Sequence, residues 1–251
     1  DTHFSQKLSK LADIYVNDAF GVSHRNDASV VGLSHFLPSY AGLLLAKEIE
    51  IIGTALKKPK KPFVVIIGGA KISTKIDLIG KLIEIADYVL IGGGLANTFL
   101  CAQDYPIGKS FCEHKEVDQA KKLLFLAAQK NTAVILPSDV VIGNPKKNEN
   151  GGEVKKIGEV PEKVSILDIG PETQAQFGSI IAKARTIIWN GPVGFFENPA
   201  FKRGTDFIYY AVTHNTDAVS IVGGGDTLAA ISKEEYLHKI THISTGGGAM
   251  L

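Results

Sequence analysis

Six clusters of glycine, each directly after a short apolar run, are the feature of this 251-residue sequence that most restricts its fold. The runs are rich in valine and isoleucine, and helical patterns such as residues 117–130 and 173–183 lie between them. Short apolar runs bounded by glycine or proline are typical of strands buried on both faces of a parallel sheet. The sequence therefore predicts an α/β fold of three layers, a parallel sheet flanked by helices. The predicted strands are residues 63–67, 88–91, 133–136, 164–167, 186–189, 218–222 and 242–244.

A long helical pattern precedes this array. Four apolar residues recur at the spacing i, i+4, i+7 and i+11, which together with the start signal Pro38-Ser39 predicts a helix over residues 38–58. These four residues are Leu45, Ile49, Ile52 and Leu56.

Two further segments fall outside the repeating pattern. Residues 1–37 contain one more predicted strand, residues 14–16, but are too few to form a core of their own. We expect them to be the end of an earlier domain, either mobile or with apolar positions such as Ile14 and Val16 exposed. The polar stretch 143–163 is predicted to be a surface excursion.

Composition argues against several classes of protein. The formal charge is +1, from 27 basic and 26 acidic residues, which disfavours a basic face for nucleic acid or an anionic membrane. No apolar run approaches the roughly 18–20 residues that span a bilayer. Two cysteines, Cys101 and Cys112, are too few for a disulfide framework and favour a reducing cytoplasm. Because the chain begins at Asp1 and its only methionine is Met250, we expect it to be an incomplete translation product.

The glycine clusters indicate a phosphate site, because ligands bind at the carboxyl ends of parallel strands and glycine lets backbone N–H groups approach phosphate closely. The common fingerprints are nevertheless absent. A Walker A loop does not occur, and the dinucleotide pattern fails because Gly92 and Gly94 are followed by Asn97 where a third glycine belongs.

Lys71 and Lys75 are four residues apart in what we predict to be the first turns of a helix starting just after Gly69. A cation at a helix N-terminus opposes the macrodipole and costs about 0.3–1 kcal/mol. The pair therefore indicates an anion opposite the helix, and the alternative is a pair of exposed, solvated lysines.

Acidic residues near two other glycine clusters have two interpretations each. Asp226, followed by Thr227, could hold Mg²⁺ while Gly224, Gly225 and Thr227 face phosphate oxygens, or it could cap a helix. Glu197 could accept hydrogen bonds from ribose hydroxyls or be an ordinary surface residue. His24 and Arg25 in the upstream segment could clamp an anion or lie in a surface loop.

Seven segments together carry a resemblance to a known family, in the family's order and over nearly the whole chain. They are residues 15–25, 68–75, 92–99, 168–172, 189–197, 223–227 and 244–249. On these the sequence resembles the phosphoglycerate kinases, two-domain enzymes whose N-terminal domain holds 3-phosphoglycerate and whose C-terminal domain holds MgADP or MgATP.

The resemblance implies a domain division and a reaction. Residues 1–37 would be the C-terminal end of the substrate-binding domain, 38–58 the interdomain helix, and 59–251 the Rossmann-like nucleotide domain, lacking its last segment. It implies a cytoplasmic, monomeric enzyme of glycolysis that moves a phosphoryl group reversibly between 1,3-bisphosphoglycerate/ADP and 3-phosphoglycerate/ATP with Mg²⁺. The alternatives are a non-catalytic nucleotide-binding fragment and a different α/β enzyme such as a dehydrogenase, which binding of NAD would support.

The resemblance also implies roles. Lys75 would neutralise the transferring group with Lys71 beside it, Asp226 would hold Mg²⁺, and His24 and Arg25 would bind the acidic substrate. The implied nucleotide-binding residues are Gly69, Ala70, Gly93, Gly94, Asn190, Pro192, Val193, Glu197, Gly224, Gly225, Asp226 and Thr227. The sequence departs from the family's pattern at Asn26-Asp27 and at Ile166, where some members have a glycine near the adenine.

Overall fold

The computed structural model describes residues 1–146, 152–231 and 234–250. Its helices are α1 Thr2–Ser9, α2 Leu43–Lys57, α3 Ile76–Ile83, α4 Gly93–Ala102, α5 Val117–Lys130, α6 Pro171–Ile181, α7 Arg203–His214 and α8 Gly225–Ala230. Its strands are β1 Tyr15–Asn17, β2 Ser39–Ala41, β3 Phe63–Ile67, β4 Tyr88–Ile91, β5 Ala133–Ile135, β6 Asp139–Gly143, β7 Glu153–Lys156, β8 Ser165–Ile169, β9 Thr186–Asn190, β10 Val219–Gly223 and β11 His242–Ser244.

Six of these strands form one parallel sheet in the order β11-β10-β9-β3-β4-β5. The chain runs from β3 outward through β4 to β5, and later returns to the other side of β3 with β9. The order of the strands therefore reverses between β3 and β9, and in open α/β sheets ligands bind in the crevice at such a switch point.

The side chains of β3 show why the sheet has three layers. All five residues of β3 are fully buried. Alternate residues contact two separate cores, with Val65 and Ile67 in the core beneath α2 to α5, and Val64 and Ile66 in the core beneath α6 and α7. The predicted three-layer α/β fold is confirmed.

One predicted strand of the parallel sheet lies elsewhere. Residues 164–167 fall mostly in β8, which pairs antiparallel with β6 in a separate sheet of order β7-β6-β8. Periodicity in a short apolar run cannot distinguish the two environments. The stretch 143–163, predicted to be a surface excursion, contains β7 within this sheet, although residues 147–151 lie outside the described range.

The helix predicted over residues 38–58 begins at Leu43, because Ser39–Ala41 is strand β2 and pairs parallel with β1. Its buried face also differs from the prediction, since Ile49 is 57% exposed while Glu48 is fully buried. The predicted exposure of apolar side chains in residues 1–37 is confirmed at Ile14 and Val16, both more than half exposed.

Helices α2, α6 and α7 lack a side-chain cap from their own N-cap residues, and aspartates from elsewhere in the chain take that place. The Leu45 amide of α2 donates to Asp18 at 3.0 Å. The Thr173 amide of α6 donates to Asp139 of β6 at 2.7 Å. The third aspartate, Asp168 of β8, accepts from the Gly204 amide of α7 at 2.7 Å.

Candidate active site

The crevice between β3 and β9 holds the amine of Lys75. Its Nζ donates to the Gly68 carbonyl at 2.8 Å, to the Asn190 side-chain oxygen at 2.7 Å and to the Asn190 carbonyl at 3.2 Å. The lysine thus joins the carboxyl ends of the two strands at which the strand order reverses.

The placement of the two lysines corrects the sequence prediction. Helix α3 begins at Ile76, so Lys75 is its N-cap residue and Lys71 lies in the loop before the helix. Lys71 is exposed, whereas Lys75 is largely covered. The alternative of two solvated lysines is therefore wrong for Lys75.

Burial lowers the pKa of Lys75 from 10.5 to about 8, and the negative charge of Asp226 partly offsets this effect. A pKa of about 8 keeps this amine mostly protonated at pH 7. The hydrogen-bond partners of the ammonium are neutral oxygens, so its positive charge remains available to attract an anion.

The glycine turns after β3, β4 and β9 are hydrogen-bonded to one another. The Gly69 amide donates to Pro192 at 2.8 Å and the Gly93 amide donates to Val193 at 2.9 Å. Gly93 has a φ of +69°, and a Cβ there would lie 2.8 Å from the Gly69 nitrogen, so this approach requires glycine. Because these two amides already donate to backbone carbonyls, Gly69 and Gly93 hold the three turns together rather than donating to a ligand.

A cavity of about 400 Å³ opens beside Lys75. Predicted residues from the ends of three strands line it, namely Gly69, Ala70, Lys71, Lys75, Asn190, Gly224, Gly225, Asp226 and Thr227. The hydroxyl of Thr227 is occupied, since it accepts from the Gly191 amide at 2.7 Å and donates to the Gly223 carbonyl at 2.8 Å. Thr227 therefore holds two strand ends together with its side chain.

Asp226 is the acidic residue of this cavity. Gly224 is the N-cap of α8, so Asp226 is the second helical residue, and the helix-cap alternative is wrong. Among the described residues there is no cluster of three or more His, Cys, Asp or Glu that could hold a metal. Mg²⁺ in nucleotide sites usually takes only one or two carboxylates together with phosphate oxygens and waters, so the single exposed carboxylate of Asp226 fits.

A second cavity of about 360 Å³ adjoins the first and shares Gly69, Ala70 and Asp226 with it. Its other predicted residues are Gly93, Gly94, Pro192, Val193 and Glu197. Residues that were not assigned to the site from the sequence complete it, among them Asn97, Leu100, Lys109, Phe111, Pro137, Val140 and Leu167. Ile166 also lines it, so the departure at this position places a side chain in the wall.

Asp168 is a lining residue whose chemistry was not predicted. Burial raises its pKa from 3.8 to about 7, against the lowering effect of hydrogen bonds from the amides of Gly204 and Ile169. The nearby carboxylate of Asp206 raises the pKa further. A carboxyl group beside the second cavity therefore changes charge near neutral pH.

His24 and Arg25 are exposed in the segment between β1 and β2, and neither lines either cavity of the described structure. The structure thus brings together all the predicted nucleotide-site residues and both lysines, but not these two.

The family model described as phosphoglycerate kinase matches residues 1–251. The chain belongs to the phosphoglycerate kinase family. It is 49% identical to the phosphoglycerate kinase of Moorella thermoacetica and 48% identical to that of Dictyoglomus turgidum, in each case over the whole chain. It covers 64% and 63% of these two relatives.

Solved structures agree with this assignment. The phosphoglycerate kinase of Coxiella burnetii superimposes with a TM-score of 0.89 at 43% identity. That of Pyrococcus horikoshii superimposes with a TM-score of 0.76 at 32% identity. Each match covers all of this chain and 64% of the solved chain. The chain thus spans slightly less than two thirds of the length of these relatives.

Proposed function

We propose that this chain carries the nucleotide site of a phosphoglycerate kinase, which transfers a phosphoryl group reversibly between 1,3-bisphosphoglycerate/ADP and 3-phosphoglycerate/ATP. The observation that carries the proposal is the charged amine of Lys75 at the strand switch point, beside Asp226 and next to a largely apolar cavity. The ammonium of Lys75 suits the phosphates of a nucleotide, and the apolar side chains of the second cavity, among them Leu100 and Val140, suit its base, with Lys109 also in the lining.

The composition of the site suits this reaction. The attacking groups, a carboxylate and a phosphate oxygen of ADP, are already ionised at neutral pH, so no general base is needed. Among the described residues, no histidine lines either cavity. Catalysis then rests on in-line positioning and on neutralising the charge of the transferring group.

We assign the roles accordingly. Lys75 donates to the oxygens of the transferring phosphoryl group by exchanging one of its present hydrogen bonds, and Lys71 adds positive charge at the exposed side. The backbone of Gly224 and Gly225 faces the phosphates, and Glu197 accepts from the ribose. Asp226 holds Mg²⁺, which when bound neutralises charge on the phosphate oxygens.

The acidic substrate needs residues outside the two cavities. We propose that residues 1–37 belong to the unit that binds it, with His24 and Arg25 as contacts, and that 38–58 connect this unit to a nucleotide domain of residues 59–251. Within the described range, no helix is both long and apolar enough to cross a membrane. Near-zero charge supports a protein that binds no nucleic acid, and two free cysteines support a reducing cytoplasm. The resemblance to the family supports a monomer.

Calorimetric titration tests the nucleotide site. We expect MgADP to bind more tightly than NAD, and tighter binding of NAD would overturn the assignment. A coupled assay tests transfer, with Lys75→Ala as the control. Because His24 and Arg25 lie away from both cavities, we expect the chain to bind MgADP without transfer. Phosphoryl transfer above the control rate would show that this chain also contains a working binding site for the acidic substrate.

A further inference from the structure

The two cysteines of the chain contact each other in the folded structure. Cys101 lies in the last turn of α4, and Cys112 lies in the loop that follows this helix. The side chain of Cys101 hydrogen-bonds to that of Cys112. Both thiols are free and half-buried, so small molecules in the solvent can reach them. Neither cysteine lines either cavity of the described structure.

Two hydrogen bonds hold the loop against α4, one on each side of its cysteine. The Asn97 Nδ2 donates to the Phe111 carbonyl at 3.2 Å, and the Glu113 amide donates to the Thr98 hydroxyl at 3.2 Å. Asn97 and Thr98 lie one helical turn before Cys101, and residues three and four apart share a helix face. The loop therefore passes over the face of α4 that carries Cys101, which agrees with the contact of the thiols.

The two thiols differ in their surroundings. Burial raises the pKa of the Cys101 thiol from 9.0 to about 12, and the neighbouring Cys112 adds to this effect, so Cys101 stays protonated near neutral pH. The Cys112 Sγ lies 3.8 Å from Nδ1 of the exposed His114. An imidazole beside a thiol favours the thiolate, which is the form that reacts with peroxides. The surroundings thus favour first attack by Cys112.

We propose that Cys101 and Cys112 form a reversible disulfide when the chain meets a peroxide, and that this bond weakens nucleotide binding. The disulfides of proteins in reducing compartments are usually transient bonds of this kind. The formation of the bond is independent of the proposed function, whereas its effect on binding rests on the proposed nucleotide site.

The reaction has two steps. The Cys112 sulfur attacks one oxygen of hydrogen peroxide, the O–O bond breaks, and the other oxygen leaves as water with the thiol proton. The Cys101 sulfur then attacks the resulting sulfenic acid, and the S–S bond forms as the hydroxyl group leaves with the Cys101 proton as a second water. Two thiols and one peroxide thus give one disulfide and two waters. A dithiol reverses the change by exchange, becoming a disulfide itself.

The residues on either side of Cys112 connect the bond to the nucleotide site. Phe111 lines the second cavity. The Glu113 carboxylate accepts from the Ser73 amide at 3.0 Å and from the Ser73 hydroxyl at 2.6 Å, and Ser73 belongs to the segment that carries both lysines of the first cavity. Because an S–S bond is only about 2.05 Å long, its formation draws the loop toward α4 and disturbs these contacts.

Mass spectrometry tests the bond. Trypsin cleaves after Lys109 and so places the cysteines in separate peptides, residues 82–109 and 110–115. After hydrogen peroxide and alkylation of free thiols, the wild type should yield these peptides joined, and dithiothreitol should separate them. Cys101→Ser should stop at a sulfenic acid that dimedone traps, whereas Cys112→Ser should keep its remaining thiol. Two free thiols in the treated wild type, or a bond only between two chains, would overturn the proposal.

Calorimetry tests the effect on binding. The oxidised wild type should bind MgADP about fivefold or more weakly than the reduced chain, and dithiothreitol should restore the affinity. Cys112→Ser is the matched control and should bind equally before and after peroxide. This control also reveals any effect of oxidising Met250, which dithiothreitol does not reverse.

The outcomes of the binding test are distinguishable. Equal affinities of the oxidised and the reduced wild type would overturn the effect on binding, and this comparison needs no variant. Failure of the reduced wild type to bind MgADP would overturn the proposed function, and with it the effect of the bond on binding. The joined peptides would still decide whether the disulfide forms.

Discussion

Replacement of Lys75 by methionine removes a buried charge and keeps an unbranched side chain of similar length. Because burial lowers the pKa of Lys75 from 10.5 to about 8, the folded protein binds fewer protons than the unfolded chain between these two pH values. The contribution of this residue to stability therefore increases as the pH rises from 8 to 10.5, and it is lost as the pH falls through 8. Lys75→Met should abolish this dependence.

The magnitude follows from the size of the shift. A pKa lowered from 10.5 to about 8 is a difference of about 2.5 pH units, and at about 1.4 kcal/mol per unit the effect reaches about 3 kcal/mol. Methionine also leaves the oxygens of Gly68 and Asn190 without this donor, which costs about 1–3 kcal/mol at every pH. The two effects oppose each other at pH 7, so the pH dependence is the informative quantity.

Urea unfolding at several pH values from 7 to 10.5 measures the difference in the free energy of unfolding between Lys75→Met and the wild type. We expect that difference to change by about 3 kcal/mol across the range. Lys71→Met is the matched control, since Lys71 is exposed and bears no comparable burial penalty. A difference that stays constant with pH for Lys75→Met would show that the amine is solvated in the folded protein, and would refute the reasoning.

Three further variants test the aspartates. Asp226→Asn should weaken binding of MgADP more than binding of metal-free ADP in calorimetry, and equal losses would exclude a metal ligand. Because the folded-state pKa of Asp168 is raised to about 7, the wild type should lose up to about 4 kcal/mol of stability between pH 4 and 7, and urea unfolding of Asp168→Asn should lack this slope. Asp139→Ala removes the acceptor of three hydrogen bonds to Glu172 and Thr173 and should lower the free energy of unfolding by about 2–4 kcal/mol. A loss below about 1 kcal/mol in thermal unfolding would contradict that role of Asp139.

The main sheet could be predicted because its strands are buried on both faces and bounded by glycine. The bounds of β3, β4 and β11 were predicted without error. Strand β6 was missed although residues 140–142 form an apolar run before Gly143, and it pairs antiparallel with β7 and β8 instead of joining the main sheet. The buried face of α2 was misplaced because helical spacing alone did not reveal that the carboxylate of Glu48 has hydrogen-bond partners, which are the buried His242 at 2.7 Å and the exposed Thr245.

The charged end of the site could be predicted better than its apolar end. Glycines, lysines and Asp226 at the carboxyl ends of strands form recognisable clusters, but Leu100 and Val140 look like any core residues in the sequence. Lys75 was singled out by an argument about helix dipoles, whereas its importance in the structure comes from burial and three hydrogen bonds. Asn97 donates a hydrogen bond to the Phe111 carbonyl, 14 residues away, and no local pattern shows that contact.

Helices α2, α6 and α7 are capped by aspartates that are distant in the sequence. The hydrogen bonds of their first turns therefore depend on other parts of the chain. The aspartates lie 27, 34 and 36 residues before the amides of Leu45, Thr173 and Gly204. A peptide of residues 171–181 carries no such acceptor, so it should be largely unstructured by itself. In native-state hydrogen exchange, α6 and α7 should open together with β6 and β8 as one cooperative unit. The small antiparallel sheet would then act as a folding partner of the helices that cover one face of the large sheet.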